Sequence, residues 1–449
     1  MGLLDLPPEL FSLVTHHLVC TAGVAQAWPL RRVCRTFAAE IAYDVLAKQP
    51  KEVLIPISAR AIMRKNLPTY LYNRIQAPSD VNTRLLERVK AMASYLHTEL
   101  KIKNSVAKDR TLNKLSIFLA KNFYPDEEDS VFETLWGANF DKHLRSPPEQ
   151  RTHLLQGELR IYDKISAAIA VDSVGLVREL LPQITDPLAQ SISHGPLIDA
   201  VRTQNMPLVR VVLEYLDSLN LKLKSNRHSQ IQWLLLMKSH FHLGTAITAS
   251  IEYCDDEGEI TYVLAQFHQE QLSFPNLTTY TSWLTKSCQL RRPAAMEVIA
   301  KMRRSKSWHS GPKSAVLKAA CRTRDREYVD VVLDNLDLDM EHPSIVQNPL
   351  FIAVRWGSAE CVAAVLERST ASLNIKLKSN LRTTHLRHRD ISALDLAIHH
   401  EADEVVETLV YNGAPFPWPI TRPRDPVVYD YMRKQLTKFD EDRKQGVSK

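Results

Sequence analysis

The residues of this chain that could perform metal or acid–base chemistry are its 16 histidines and six cysteines. A zinc protease places two histidines one helical turn apart with a glutamate beside the first, because that spacing turns both rings toward one ion. The nearest match here is His399-His400-Glu401. Adjacent histidines on a helix point in different directions, so they cannot share one ion. We predict a surface turn at this point, and neither a metal nor a cofactor.

The six cysteines show no spacing that indicates a disulfide framework or a zinc site. No two of them form a C-x-x-C pair, so buried free thiols in a reducing compartment explain them best. The chain also lacks the G-x-G-x-x-G and G-x-x-x-x-G-K-[ST] loops that hold phosphates. The sequence thus predicts a protein that is not an enzyme. The cysteine positions are Cys20, Cys34, Cys254, Cys288, Cys321 and Cys361.

Composition and charge narrow the class of protein further. Of the 449 residues, 45% are hydrophobic and 24% are charged, which is ordinary for a folded soluble protein. The net charge of +6 is mild for this length, so nucleic acid is an unlikely partner. The uncharged stretch from Phe11 to Leu30 contains His16, His17 and Pro29, which make it too polar to span a membrane. We therefore expect no membrane association and a location in the cytoplasm, the nucleus or both.

One five-residue pattern recurs at a fixed interval and indicates how the chain is built. The second copy follows the first by 350 − 317 = 33 residues at every position. Its first two residues describe one face of a short helix, and its last three describe the facing stripe of another. Two short helices cannot bury their apolar faces alone, so the pattern predicts stacked repeats. The two copies are Leu317, Ala320, Val329, Val332, Leu333 and Leu350, Ala353, Val362, Val365, Leu366.

Five further copies extend the pattern to about seven units. The alternative is an ordinary helical domain whose apolar stripes coincide by chance, and the repeated spacing disfavours it. One unit, beginning at Ile247, fits only if a single residue is inserted near Asp255. The additional copies are Ile165, Ala168, Val177, Leu180, Leu181; Leu197, Ala200, Val209, Val212, Leu213; Ile247, Ser250, Ile260, Val263; Leu284, Ser287, Met296, Ile299; and Leu394, Ala397, Val406, Leu409, Val410.

The letters of three units resemble the ankyrin repeat, whose units open with Thr-Pro-Leu-His-x-Ala. Residues 348–353 read Asn-Pro-Leu-Phe-Ile-Ala, residues 195–200 read Gly-Pro-Leu-Ile-Asp-Ala, and residues 392–397 read Ser-Ala-Leu-Asp-Leu-Ala. Residues 409–414 resemble the closing Leu-Leu-x-x-Gly-Ala turn. Most units lack the Thr-Pro start and the Gly-Ala turn, and none keeps the histidine. The resemblance implies an α-helical solenoid of protein-binding repeats.

The first fifty residues resemble a second family. The segments Leu6-Pro7-Pro8-Glu9-Leu10 and Val33-Cys34-Arg35-Thr36-Phe37 are similar to the two ends of the F-box, although the stretch between them is longer than usual. This resemblance implies a helical hairpin that binds a Skp-type adaptor and through it a cullin-RING ubiquitin ligase. The alternative is a hairpin that caps the helices behind it. The implied adaptor contacts are Leu6, Pro7, Leu10, Leu13, Val14, Leu30, Val33, Cys34 and Phe37.

Two long connections between repeats contain nearly the same nine-residue segment. Residues 218–226 read Ser-Leu-Asn-Leu-Lys-Leu-Lys-Ser-Asn, and residues 372–380 repeat them with one change. Alternating Leu and Lys predicts strands, and Ser-Asn predicts a turn, so we expect two projecting fingers. Their basic residues suit an acidic or phosphorylated segment of a target, and a pair of solvated loops is the alternative. The candidate target contacts are Lys222, Lys224, Arg227, Lys376, Lys378, Arg382 and Arg387.

Together these patterns predict an all-α protein with four regions. We expect an F-box-like domain at 1–45, a helical spacer and cap at 46–160, about seven divergent ankyrin-like repeats at 161–418, and a capping helix with a tail at 419–449. The expected function is substrate recognition for a cullin-RING ubiquitin ligase. The alternatives are a repeat scaffold with no role in ubiquitination and, from a different class, an enzyme or nucleic-acid-binding factor.

Overall fold

A computed structural model of the chain is almost entirely helical over the residues that it describes. These are residues 3–76, 83–122, 159–184, 195–223, 243–254, 258–271, 277–302, 310–369, 371–378, 390–415 and residue 437. The prediction of an all-α fold is confirmed at this level. Contacts divide the chain into two units, Met1–Leu243 and Gly244–Lys449. The predicted C-terminal capping helix within 419–449 lies outside the described residues.

The described helices are numbered in chain order, and their bounds are as follows. They are α1 Pro8–Ala22, α2 Val24–Ala27, α3 Arg35–Tyr43, α4 Ile57–Lys65, α5 Leu67–Gln76, α6 Thr83–Glu99, α7 Ser105–Asn122, α8 Ile161–Ala170, α9 Val174–Leu180, α10 Pro196–Arg202, α11 Met206–Leu223, α12 Leu243–Tyr253, α13 Glu259–Gln271, α14 Leu277–Gln289, α15 Pro293–Lys301, α16 Ser310–Arg322, α17 Arg326–Asn335, α18 Pro349–Trp356, α19 Ala359–Arg368, α20 Ala393–His399 and α21 Asp403–Tyr411. Two short strands, β1 Leu377–Lys378 and β2 Asp390–Ile391, pair antiparallel.

The N-terminal hairpin has its own small core. Phe11, Thr15 and Val19 form the buried face of α1, and α1 packs against α3. The ring of Phe11 meets the ring of Phe37 edge-on, with centroids 5.2 Å apart. The helix α3 begins only at Arg35, because the preceding residues Trp28–Arg32 form a 3₁₀ turn. The implied adaptor contacts Leu30, Val33 and Cys34 therefore precede α3, whereas Phe37 lies within it.

The helices between the hairpin and the first repeat are packed onto that repeat. Val89, Met92 and Leu96 of α6 are buried, as their helical spacing predicts. Both α6 and α7 contact α8. The buried guanidinium of Arg88 on α6 also forms an ion pair with the buried carboxylate of Asp163 on α8. A buried pair of this kind is costly to break, since either partner alone would be an uncompensated charge.

The helices α8–α11 of the first unit and α14–α21 of the second follow one contact rule. A helix packs against its partner in the same pair and against the helix two places further along the chain, as α16 does with α17 and α18. Hydrogen bonds also join successive pairs. Ser166 Oγ on α8 donates to Asp199 Oδ2 on α10 at 2.7 Å, and Gln269 Nε2 on α13 donates to the carbonyl of Met302, just after α15, at 2.6 Å. Successive pairs of helices are therefore in direct contact.

We call the residues of the repeated apolar pattern its marks, and the second residue of each copy, an Ala or Ser, its small mark. Most of the predicted marks are buried, and one was assigned to the wrong residue. Val263, the fourth mark of the unit at Ile247, is half-buried, whereas Leu264 is fully buried. Thr261 is also buried, and its hydroxyl lies 2.9 Å from that of Ser250. The turn before α13 is thus longer than predicted, because two residues rather than one must be inserted to restore the frame. Two terminal marks are half-buried, and they are Leu333 and Val410.

The turns between paired helices share a backbone conformation that no glycine pattern predicts. In five units the residue four places after the small mark is not glycine and has a φ between 54° and 59°. In the turn after α14, for example, Arg292 N donates to the carbonyl of Ser287 and Arg291 N to that of Cys288. This pair of bonds is a Schellman motif, which requires one left-handed residue. The five residues are Asp172, Gln204, Arg291, Arg324 and Glu401.

Candidate docking surfaces

Large hydrophobic side chains that remain exposed are concentrated near the start of the described residues. Six of the sixteen exposed large hydrophobic residues precede residue 34. A concentration of this kind indicates a surface that a partner covers, whereas scattered exposed residues need no explanation. The six residues are Leu3, Leu4, Leu10, Leu13, Val14 and Val33.

The geometry of α1 explains why part of this surface faces outward. Leu10, Leu13 and Val14 recur at i, i+3 and i+4, so they share one side of the helix. Their exposed fractions are 49%, 63% and 42%. The opposite side of α1 is the buried one described above. We call Leu10, Leu13 and Val14, together with Val33 at 64% exposure, the N-terminal apolar face.

The other adaptor contacts implied by the F-box resemblance are also at least partly accessible. Pro7 is exposed and is the N-cap of α1, where proline suits the first turn. Cys34 is the N-cap of α3, and its Sγ accepts from the backbone N–H of Phe37 at 3.5 Å. Leu6 and Leu30 are half-buried, as are Cys34 and Phe37. None of the nine residues is buried, so all of them could touch a partner.

A second surface lies at the C-terminal ends of α16 and α18. The side chains of Lys318, Arg322 and Arg355 lie over the ring of Trp356, with their cationic groups 4.6, 4.3 and 5.0 Å from its centroid. No ion pair joins these three cations to a carboxylate within the described residues. We call these four residues the Trp356 patch. Three cations without acidic partners attract an anionic ligand.

The repeat frame itself creates this patch. Arg322 and Arg355 each follow the small mark of their unit by two residues, so they are equivalent positions 355 − 322 = 33 residues apart. The helices that carry them, α16 and α18, pack together. His399 occupies the same place on α20. Partial desolvation and the charges of His399 and Arg355 lower the pKa of the neighbouring His400. These equivalent positions on successive first helices form a row, and the row is thus basic at its C-terminal end.

The same row continues toward α14 with polar residues. A groove of about 600 Å³ runs along α14. It is lined by Thr281, Thr285 and Gln289, with Pro312 contributed by α16. Gln289 again follows the small mark, Ser287, by two residues. The position two residues after the small one thus changes from Gln289 to Arg322 and Arg355 along successive first helices.

The first predicted finger adopts a different secondary structure from the one predicted. The helix α11 continues through Leu223, so the strand expected from its Leu-Lys alternation is wrong. The Leu-Lys segment follows an apolar helical stripe that includes the buried Val212 and Leu216, and the helix continues into that segment. Lys222 therefore lies in the last turn of α11. Lys224 and Arg227 lie outside the described residues.

The second predicted finger is a strand only in part. Leu377 and Lys378 form β1, whereas Ala371–Asn374 form a 3₁₀ turn. Leu377 pairs with Ile391, and Lys378 pairs with Asp390. Lys376 and Lys378 are exposed, whereas Leu377 is buried, as the alternation predicts. Arg382 and Arg387 lie outside the described residues. The sequence did not indicate the Trp356 patch, whose residues come from two neighbouring helices.

The cysteine prediction is correct for four residues and wrong for two. All six thiols are free, and Cys254, Cys288, Cys321 and Cys361 are buried. Cys20 is exposed and Cys34 is half-buried. Within the described residues there is no group of three or more His, Cys, Asp or Glu side chains that could hold a metal ion. None of the described helices has the length and apolar character needed to cross a membrane.

Comparisons with known proteins add no relative. No protein-family model matches this chain, and no curated protein matches it. The N-terminal apolar face and the Trp356 patch are therefore the features from which a function can be inferred.

Proposed function

We propose that this chain is a protein-binding subunit that docks a Skp-type adaptor through its N-terminal apolar face and holds a target protein on its repeats. The observation that carries the proposal is the exposure of Leu10, Leu13, Val14 and Val33, because these residues are apolar, accessible and named by the F-box resemblance. In that role the chain is a substrate receptor of a cullin-RING ubiquitin ligase. Other subunits would transfer ubiquitin, and this chain would raise the local concentration of the target.

The proposal includes a divergent ankyrin-like solenoid for residues 161–411. Two features support it, namely the burial of most residues of the repeated pattern and the hydrogen bonds between successive pairs of helices, such as Asn205 Nδ2 to Asp172 Oδ1 at 3.1 Å. Repeat proteins of this type bind partners along the surface created by equivalent positions of successive units. The row that contains Arg322 and Arg355 is such a surface.

The target that best fits the Trp356 patch is an acidic or phosphorylated segment. Arginine pairs with carboxylate and phosphate groups through two parallel hydrogen bonds, and the ring of Trp356 holds the guanidinium groups in place. The exposed Lys376 and Lys378 of the β1 finger would add contacts if the segment extends that far. A target of this kind would bind more weakly as salt rises, since part of its affinity is electrostatic.

Binding of a purified Skp-type adaptor by the full-length chain tests the docking face. We expect the double variant Leu10→Asp/Val33→Asp to weaken binding by about 30-fold or more, because charged groups would replace two apolar contacts at an interface. The matched control is Ile57→Asp/Val106→Asp, which changes two equally exposed hydrophobic residues on α4 and α7. Binding should be unchanged in this control. Adaptor binding that tolerates the first double variant would refute the docking face.

The alternative function, a repeat scaffold with no role in ubiquitination, has a distinct signature. A scaffold would bind a glutamate-rich or phosphoserine peptide but show no affinity for the adaptor. The charge reversal Arg322→Glu/Arg355→Glu should weaken peptide binding by about tenfold in low salt, whereas Lys103→Glu/Arg110→Glu on exposed sites near and on α7 should not. Fluorescence anisotropy with a labelled peptide at two salt concentrations measures both effects.

A further inference from the structure

The side chains of a cysteine, a histidine and an aspartate are joined one after another by hydrogen bonds in the N-terminal hairpin. Cys20 and His16 are one turn apart on α1, and Cys20 Sγ lies 3.6 Å from His16 Nε2. On the other side of the ring, His16 Nδ1 lies 2.8 Å from Asp44 Oδ2. Asp44 belongs to the π-helical turn Asp44–Lys48 that follows α3. A thiol, an imidazole and a carboxylate in this order are the parts of an activated nucleophile.

The surroundings fix the roles of the three groups. Asp44 is buried, and its Oδ1 also accepts a hydrogen bond of 2.6 Å from Gln49 Nε2. Gln49 is buried in turn, and its backbone carbonyl accepts from the guanidinium of Arg74. A carboxylate held in this way accepts the Nδ1 hydrogen of His16, which leaves Nε2 unprotonated and facing the thiol. The amide of Gln49 also approaches Cys20 Sγ, at 3.5 Å.

The thiol at the end of this chain is open to solvent. Cys20 is the one exposed cysteine of the six, all of which lie within the described residues. A network that served only to hold the hairpin together would need Asp44, Gln49 and Arg74, which are buried, but not a solvent-facing thiol on the free nitrogen of His16. Reactive cysteines occur where a partner favours the thiolate and solvent can reach it.

We propose that Cys20 is a thiol modification site, activated by His16 and Asp44, that undergoes exchange with low-molecular-weight disulfides. His16 Nε2 takes the proton from Cys20 Sγ, and the thiolate attacks one sulfur of the disulfide. The S–S bond of the small molecule breaks as the new S–S bond to Cys20 forms. The departing thiolate takes the proton back from His16. The disulfide is the oxidant, so the products are a mixed disulfide on Cys20 and one small-molecule thiol.

The direct test measures the reaction of Cys20 with iodoacetamide and with oxidised glutathione in the full-length chain. Trypsin cleaves after Arg31 and Arg32, so Cys20 and Cys34 appear on different peptides. We expect Cys20 to react about fivefold or more faster than Cys34 at pH 7. Burial raises the pKa of the Cys288 thiol to about 12, so Cys288 should stay unmodified and report that the chain is folded.

Three variants separate activation from a structural role. His16→Gln should slow the reaction of Cys20 at pH 7 by about fivefold and move its pH profile toward that of a free thiol. Asp44→Asn, in which Asp44 acts as a positioning residue, should move the profile in the same direction. His17→Gln changes the adjacent exposed histidine, for which the described residues show no hydrogen bond to Cys20, and should leave the profile unchanged. Equal rates in wild type and His16→Gln would overturn the proposal, as would a wild-type Cys20 no faster than Cys34.

Discussion

The N-terminal hairpin and the repeats use the same sequence pattern with opposite results. In α1, Leu10, Leu13 and Val14 recur at helical spacing and are exposed, whereas Leu350 and Ala353 of α18 recur at similar spacing and are fully buried. The helices that carry successive copies of the pattern pack against one another, as α16 does against α18. The hairpin has no second copy of itself to cover its outer side. Periodicity therefore identifies the apolar side of a helix but not what covers it.

The largest expected effect comes from placing a charge at a buried position of the repeats and, for comparison, at an exposed position of the hairpin. Ala353→Asp would bury a carboxylate without a partner, and we expect it to destabilise the unit that contains it by about 4 kcal/mol or more. Leu13→Asp places the same group in solvent and should change stability by no more than about 0.5 kcal/mol. Urea denaturation measures both changes. A large loss in Leu13→Asp would mean that the chain itself covers the N-terminal apolar face.

A smaller effect tests how tightly the repeats are packed. A Cβ at Gly357 would lie 2.8 Å from both the carbonyl oxygen of Ala353 and the Cβ of Cys361. We expect Gly357→Ala to cost about 1–3 kcal/mol, because the backbone and α19 would have to move apart. The control is Gly175→Ala in α9, where no described atom lies within 4 Å of the new Cβ. It should stabilise by about 0.5–1 kcal/mol, since alanine favours a helix. Equal melting temperatures for the two variants would contradict this account.

The N-cap of α18 shows how a buried polar group stabilises the repeats. Asn348 is buried, and its Oδ1 accepts from the backbone N–H groups of Leu350 and Phe351 at 3.1 and 3.4 Å. Its amide also donates to the carbonyls of Met340 and His342, both at 3.2 Å. We expect Asn348→Ala to cost about 1–2 kcal/mol. Asn348→Asp keeps the cap oxygen but removes the amide donor, so a smaller loss than that of alanine would separate the two contributions in thermal denaturation.

The smallest effect should be a gain in stability. Arg324 has a φ of 59°, which costs an ordinary residue some free energy that glycine does not lose. Arg324→Gly should therefore raise the free energy of unfolding by up to about 1 kcal/mol, seen as a higher melting temperature. The control Arg322→Gly, two residues earlier and still within α16, should lower it by a comparable amount. A loss in both variants would show that the Arg324 side chain itself stabilises the turn.

The sequence was sufficient for features that depend on the spacing within one copy of the pattern. That spacing predicted most of the buried positions from Ile165 to Leu409. It failed at the turn before α13, where an extra residue shifted the frame from Val263 to Leu264. The sequence also failed where nearly the same residues had different surroundings. Leu221–Leu223 continue the helix α11, whereas Leu377 and Lys378 of the matching segment form a strand.

The candidate sites were harder to predict, because their members meet only in space. Arg322 and Arg355 are 33 residues apart in the chain, and no sequence motif links Arg322 to Trp356. His16 and Cys20 are close in sequence, but Asp44 and Gln49 complete the arrangement from more than twenty residues away. By contrast, Leu10, Leu13 and Val14 lie on one side of α1, so their spacing alone groups them, and only Val33 joins the N-terminal apolar face from another segment.

The interval between contacting helices also has a mechanical consequence. In the unit Gly244–Lys449, the extensive contacts join helices one or two places apart, so α20 and α21 can separate while α14 to α17 keep theirs. A force applied at the C-terminal end would then extend the chain in steps. Each step would release one pair of helices. A pair that recurs after 33 residues, such as α16–α17, would lengthen the molecule by roughly 110 Å at about 3.4 Å per residue. An unfolding motor could thus work inward one helix pair at a time while the earlier pairs stay folded.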